Sequence, residues 1–149
     1  AAVASGGFVY AFAGCISAVS LRSAERLNAE GSAGGGPWEA LPPAPTARFA
    51  VSAAVALGAI YLVGGYDGEA PLARVERYDI VAGRWDNMPP MPTPRKWCAA
   101  VAAAGRVYTF GGFAGRQTSS AVEEFDPEKG EWRQLPPLLE AAEWLAATS

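Results

Sequence analysis

The stretch from Ala59 to Pro92 decides the fold: Ile60-Tyr61-Leu62-Val63-Gly64-Gly65, then Val75-Glu76-Arg77-Tyr78-Asp79, then Gly83-Arg84-Trp85 and Met88-Pro89-Pro90. Outward from it, every landmark returns. Trp38, Trp85 and Trp132 stand 47 residues apart, and Leu41-Pro42-Pro43, Met88-Pro89-Pro90 and Leu135-Pro136-Pro137 keep that spacing. Val9-Tyr10, Ile60-Tyr61 and Val107-Tyr108 precede Ala13-Gly14, Gly64-Gly65 and Gly111-Gly112, with gaps of 51 and then 47. Glu25-Arg26-Leu27-Asn28, Glu76-Arg77-Tyr78-Asp79 and Glu123-Glu124-Phe125-Asp126 keep the same gaps, so four extra residues lie between Asn28 and Trp38. There Gly31-Ser32-Ala33-Gly34-Gly35-Gly36 lengthens a loop; the insertion Ala29 to Pro37 is expected to be exposed, because its glycines offer nothing to pack. A fixed period of this kind identifies a repeat architecture.

Each repeat divides into four short strands, A to D, separated by turn signals. Strand A is expected over Phe49 to Ala56 and Trp97 to Ala103, strand B over Ala59 to Val63 and Arg106 to Phe110, and strand C over Val75 to Asp79 and Val122 to Asp126. Strand D carries the tryptophans, which read as core. Gly58 and Gly105 suit tight A–B turns, and Asp126-Pro127-Glu128-Lys129-Gly130 is a C–D turn. In the first repeat, strand B falls at Phe8 to Phe12 and the chain opens on the tail of an A strand. Glu143 to Ser149 reads as the next A strand. The expected pattern is BCD, ABCD, ABCD, A, with repeats at approximately 1–47, 48–94 and 95–141 and a further strand beginning in 142–149. Alanine content alone would make helices of Cys98 to Ala104 and of Leu138 to Thr148; repeat register overrides it for the internal copy.

The signature of apolar strand, Gly-Gly, acidic-aromatic-acidic strand and Gly-x-Trp resembles the kelch repeat, over almost the whole chain. The resemblance implies an all-β fold of kelch-type β-propeller blades: three four-stranded antiparallel sheets forming an incomplete propeller. In that family strand A lies nearest the propeller axis, where blades crowd and small side chains fit. Propellers use about 4–8 blades. Three blades therefore imply either a portion of a longer chain, as the start at Ala1 suggests, or a homodimer closing a six-bladed ring.

Composition narrows the function. The formal net charge of −3 supplies no basic field, so nucleic acid is not an expected partner. Histidine is absent, which removes the commonest general base and metal ligand. Cys15 and Cys98 match no zinc spacing and read as reduced thiols of an intracellular, cytoplasmic protein. No cofactor and no metal are expected. Ala1 to Leu21 and Phe49 to Tyr66 carry no charge, but neither reads as a signal or membrane segment. The first lacks a basic start, and the repeat of the second is interrupted by Arg106. Glu76, Asp79, Glu123 and Asp126 could be paired catalytic carboxylates; their recurrence in each repeat favours an architectural role.

Binding is sought where the repeats differ, in the B–C loops Cys15 to Leu21, Tyr66 to Leu72 and Phe113 to Ser119. In protein-binding kelch propellers, contacts come from residues just after the double glycine and from an arginine in the D–A turn. Carried onto this chain, these positions are Cys15, Tyr66 and Phe113, and Arg48 and Arg95; Ala142 stands where the next arginine would. Tyr66, Phe113, Arg48 and Arg95 are the candidate partner-binding residues, because aromatics and arginine dominate interface hot spots. Alternatively, the two arginines cap the turn through backbone carbonyls. The expected function is non-catalytic recruitment of a protein partner. The resemblance extends this to a ubiquitin-ligase substrate adaptor, although the BTB domain of such adaptors is not in these residues. The alternatives are an actin-binding or scaffold domain, or a propeller enzyme such as a sialic acid epimerase or an oxidase. Copper oxidases need histidine ligands, and strand A offers an epimerase mostly Ala, Val and Cys.

Overall fold

The computed structural model describes residues 1–30, 36–143 and 145. Three four-stranded antiparallel sheets follow one another along the chain. The first holds β1 (Ala2–Ser5) and β2 (Phe8–Phe12), gives off a small hairpin of β3 (Cys15–Ile16) and β4 (Val19–Ser20), and continues with β5 (Ala24–Asn28) and β6 (Trp38–Ala40). The second is β7 (Ser52–Ala56), β8 (Ala59–Val63), β9 (Val75–Asp79) and β10 (Arg84–Met88). The third is β11 (Ala99–Ala103), β12 (Arg106–Phe110), β13 (Val122–Asp126) and β14 (Glu131–Leu135). Each sheet pairs its strands in chain order, A to D, and no helix occurs among the described residues.

The alanine-rich stretch is strand, as the register requires. β11 lies beside β7 of the neighbouring blade, and Ala54, Ala56, Ala99 and Ala100 are buried there. Side chains larger than a methyl would hold the two A strands apart. The Ser52 hydroxyl hydrogen-bonds the Cys98 carbonyl across this seam. The A–B turns place Leu57 and Gly58 at φ 49° and 72°, and Ala104 and Gly105 at 50° and 74°. Two successive positive φ values give the turn twist that matches the flanking strands.

Three expectations are corrected. The first blade has a full A strand: Ala2–Ser5 pairs with Phe8–Ala11 residue by residue, so the pattern opens ABCD. Strand A of the other blades starts later, at Ser52 and Ala99, because Ala50 (φ 54°) and Trp97 (φ 55°) turn the chain out of the extended region first. The strand-D tryptophans are not fully core. Trp85 and Trp132 are half-buried and Trp38 is 49% exposed. Trp85 packs against Tyr78 of its own blade at 5.0 Å and Phe12 of the preceding one at 5.6 Å, while its indole N–H donates to the Pro42 carbonyl at 2.8 Å. Trp132 repeats this, with Phe125 at 5.0 Å and the Pro89 carbonyl at 2.9 Å. These tryptophans staple one blade to the next from the outer edge, which needs a ring half in the wedge and half out.

Between the staples lie two apolar clusters. Tyr10, Phe12, Ala44, Ile60, Leu62 and Tyr78 join the first blade to the second; Tyr61, Val63, Met91, Val107 and Phe125 join the second to the third. Of the inserted loop, Ala29, Glu30, Gly36 and Pro37 are exposed, and residues 31–35 lie outside the described residues. The expected further strand over 142–149 falls largely outside them too, as do residues 144 and 146–148 of the possible helix over 138–148; Ala142, Glu143 and Leu145 form no strand.

Candidate protein-docking face

Antiparallel order places the B–C loops and D–A turns at one end of the strands and the A–B and C–D turns at the other. At the first end, each D–A turn is clamped by the glycine that ends the Ala-Gly or Gly-Gly pair after strand B in the preceding blade. The Gly14, Gly65 and Gly112 N–H groups donate to the carbonyls of Arg48, Arg95 and Ala142, at 2.9, 2.9 and 2.7 Å. A Cβ on Gly64 would stand 2.5 Å from the Arg95 oxygen, and one on Gly65 would stand 2.9 Å from the Phe49 oxygen. Both have positive φ. Glycine is thus required twice over, by conformation and by the closeness of the turn.

The two candidate arginines lie beneath this face. Arg48 and Arg95 are both 0% exposed. Arg48 Nη1 donates to the carbonyls of Gly64 (2.9 Å) and Arg74 (3.2 Å), and Arg95 Nη1 donates to those of Gly111 and Ala121, each at 3.0 Å. Their Nη2 atoms form ion pairs with Glu76 and, at 2.7 Å, Glu123. Thr46 and Thr93 donate to the same carboxylates at 2.6 and 2.7 Å. Burial pulls the Arg48 guanidinium below its ordinary range, and Glu76 opposes that pull. The expected partner contact is therefore corrected: neither guanidinium reaches the surface, and both hold the turn through backbone carbonyls. Glu76 and Glu123, considered above as catalytic carboxylates, are consumed by these pairs. Ala142 keeps the backbone position of the arginine without its side chain.

Tyr66 and Phe113 do come to the face, both half-buried. Each pairs its backbone with the strand-A side of its own blade, Tyr66 with Phe49 and Phe113 with Lys96. The structure also brings in residues that sequence reasoning passed over. The Lys96 ammonium lies 4.1 Å from the Tyr66 ring centroid, 4.2 Å from that of Trp97 and 5.6 Å from that of Phe113. Phe49 stacks edge-on against Tyr66 at 5.4 Å and Trp97 against Phe113 at 6.2 Å. One signal is available in the sequence: Lys96 and Trp97 follow Arg95 directly, although Trp97 reads there as the start of strand A.

The loops of the three blades touch. The Ser20 hydroxyl donates to the Asp67 carbonyl at 2.8 Å, and a Cβ on Gly115 would stand 3.8 Å from Pro71. The first loop differs from the others. It is the β3–β4 hairpin, with Ile16 and Val19 directly opposite each other and 66% and 65% exposed. Cys15 is exposed at its base. The second loop is folded by Asp67, whose Oδ1 accepts the Glu69 and Ala70 N–H groups at 2.8 Å each; these bonds hold its carboxyl below the usual carboxylate value.

Concavities elsewhere belong to the architecture. A groove of about 500 Å³ over Pro71–Val75, Asn87, Met88 and Pro90 recurs 47 residues on as one of about 350 Å³ over Thr118–Val122, Gln134, Leu135 and Pro137. Glu124 is taken up by Arg106 at 2.9 Å and Arg133 at 3.1 Å. Among the described residues no group of three or more His, Cys, Asp or Glu could hold a metal ion, and no helix is long and apolar enough to cross a membrane.

Three blades joined by clamped turns and cross-blade tryptophans define an open, incomplete kelch-type propeller. The family model for the Kelch motif matches residues 47–92 and 94–139, and the chain belongs to that family. No curated protein matches the chain. Kelch repeats are generally a protein-binding module.

Proposed function

We propose that the chain is a non-catalytic docking module that holds a protein partner on its loop face, across the β3–β4 hairpin and the cluster of Tyr66, Lys96, Trp97 and Phe113. One observation carries the reading. The residues beneath the face repeat from blade to blade, whereas the residues on it do not: Ile16 and Val19 are exposed on the hairpin, and Tyr66, Trp97 and Phe113 are half-buried around Lys96. Apolar anchors in partly covered positions beside a cation are the composition of an interface hot spot. The adaptor role in ubiquitin ligation is an extension of this reading that rests on family resemblance, and it requires a ligase-binding domain attached to these blades. In the test, Phe113→Ala and Ile16→Asp weaken a partner captured by pull-down while leaving the melting temperature close to wild type. Equal weakening by Arg84→Ala or Lys129→Ala, at the opposite end of the strands, would contradict the reading.

A second arrangement is favoured by Trp38. Its two counterparts donate to Pro42 and Pro89 of a preceding blade, and Pro136 is the next residue in that series. We infer that the exposed face of the first blade receives a blade bearing such a proline turn, which a second copy would supply through Leu135-Pro136-Pro137. Light scattering tests this: a dimer that Trp38→Ser converts to monomer supports it, and a concentration-independent monomer contradicts it.

A further inference from the structure

We propose that Lys96 is the anchor for a carboxylate of the partner, an Asp or Glu side chain whose apolar neighbours lie on Phe113. The proposal rests on the docking reading above and names the chemistry it selects. Ring faces attract the Lys96 ammonium from three sides, within the distance at which cation–π attraction operates. Rings fix an ammonium in place but leave its N–H donors without conventional acceptors. Among the described residues Lys96 makes no hydrogen bond or ion pair through its ammonium. Of the eleven other Lys and Arg side chains, Arg26, Arg48, Arg77, Arg95, Arg106, Lys129 and Arg133 are paired with carboxylates, and Arg22 donates to the Ala44 carbonyl.

One feature singles out this place. Position 96 has Phe49 as its counterpart in the preceding blade, so the cation is particular to one blade junction and is not required by the fold. The left-handed turn that follows is shared, with Ala50 at φ 54° and Trp97 at φ 55°, so it belongs to the repeat.

The occupant follows from charge. A cationic ligand is excluded because Lys96 already fills the ring cluster. A phosphate carries about −1.5 to −2 charge, more than one ammonium balances. A single carboxylate balances a single ammonium, and its charge-assisted hydrogen bond is strengthened where rings displace water.

The test uses the full chain as bait for a phage-displayed library of random peptides. Enriched peptides are expected to share one Asp or Glu beside an apolar residue. Changing that residue to Asn or Gln should weaken binding about tenfold or more, the range of a desolvated charge pair. Lys96→Met should cause a similar loss, the two changes together should cost little more than either alone, and Lys96→Arg should retain part of the affinity. Peptides that Phe113→Ala and Ile16→Asp release but Lys96→Met does not would overturn the carboxylate anchor and leave the docking face standing. Peptides indifferent to every loop-face change would remove the docking reading itself. Failure to enrich any peptide, or tighter binding when phosphoserine replaces the acidic residue, would also overturn the proposal.

Discussion

Arg48 and Glu76 form an ion pair in which neither side chain has any solvent-exposed surface, and Arg95 with Glu123 repeats it 47 residues on. The pair sits under the loop face. Arginine suits the place because its planar fork can meet two carbonyls with one nitrogen and a carboxylate with the other.

Removing one member of such a pair leaves an uncompensated buried charge. Arg95→Met is expected to cost about 3–5 kcal/mol of stability, and Arg95→Met with Glu123→Leu to cost less than Arg95→Met alone. Urea unfolding measures both; an Arg95→Met midpoint equal to wild type would mean that the pair does not hold the turn.

The glycine requirement divides into two parts that two variants separate. Gly58 has φ 72° and open space around a built Cβ; Gly64 has φ 66° and the Arg95 carbonyl 2.5 Å away. Gly58→Ala should cost about 1–2 kcal/mol for left-handed backbone alone. Gly64→Ala should cost clearly more. Equal losses would show that the turn above Gly64 yields freely.

The tryptophan staple has a polar component. Trp132→Phe keeps a ring against Phe125 but deletes the N–H donated to Pro89. A loss of about 0.5–1.5 kcal/mol is expected for the hydrogen bond, together with a smaller packing change. A variant as stable as wild type in thermal melts would place the staple entirely in apolar contact.

Much of this architecture is legible in the sequence, because β8, β9, β12 and β13 carry their own apolar and acidic pattern in every repeat. What is not legible depends on partners far along the chain. Arg48 reads as a surface anchor until Glu76, 28 residues later, is seen to close over it. The start of strand A is hidden because Ala50 and Trp97 are not residue types that announce positive φ. The Lys96 cluster draws Tyr66 from one blade and Trp97 and Phe113 from the next, and no local spacing encodes that junction.

Acid should loosen the C–D turn of the second blade. Asp79 Oδ1 accepts the Ala82 N–H at 2.9 Å and the Val81 N–H at 3.1 Å, and Oδ2 pairs with Arg77 at 3.0 Å. The Ala82 bond foremost holds this carboxyl below its ordinary value of 3.8. A carboxyl lowered by folding contributes its stability in full above that ordinary value and loses it as pH falls through the lowered one. The melting temperature of Asp79→Asn should therefore fall less steeply below about pH 4 than that of wild type. Parallel curves for the two proteins would rule the turn out as an acid-sensitive element.

The most direct test of the docking face is site-specific photo-crosslinking. A photoreactive phenylalanine analogue is placed at position 66 or 113 on the loop face, or at 84 or 129 on the opposite end, and the chain is irradiated in a lysate of its native cells. The docking account predicts that one and the same polypeptide is captured from positions 66 and 113, that 84 and 129 capture none of it, and that Ile16→Asp abolishes the capture. Capture of that polypeptide from 84 or 129 as readily as from 66 or 113 would contradict it.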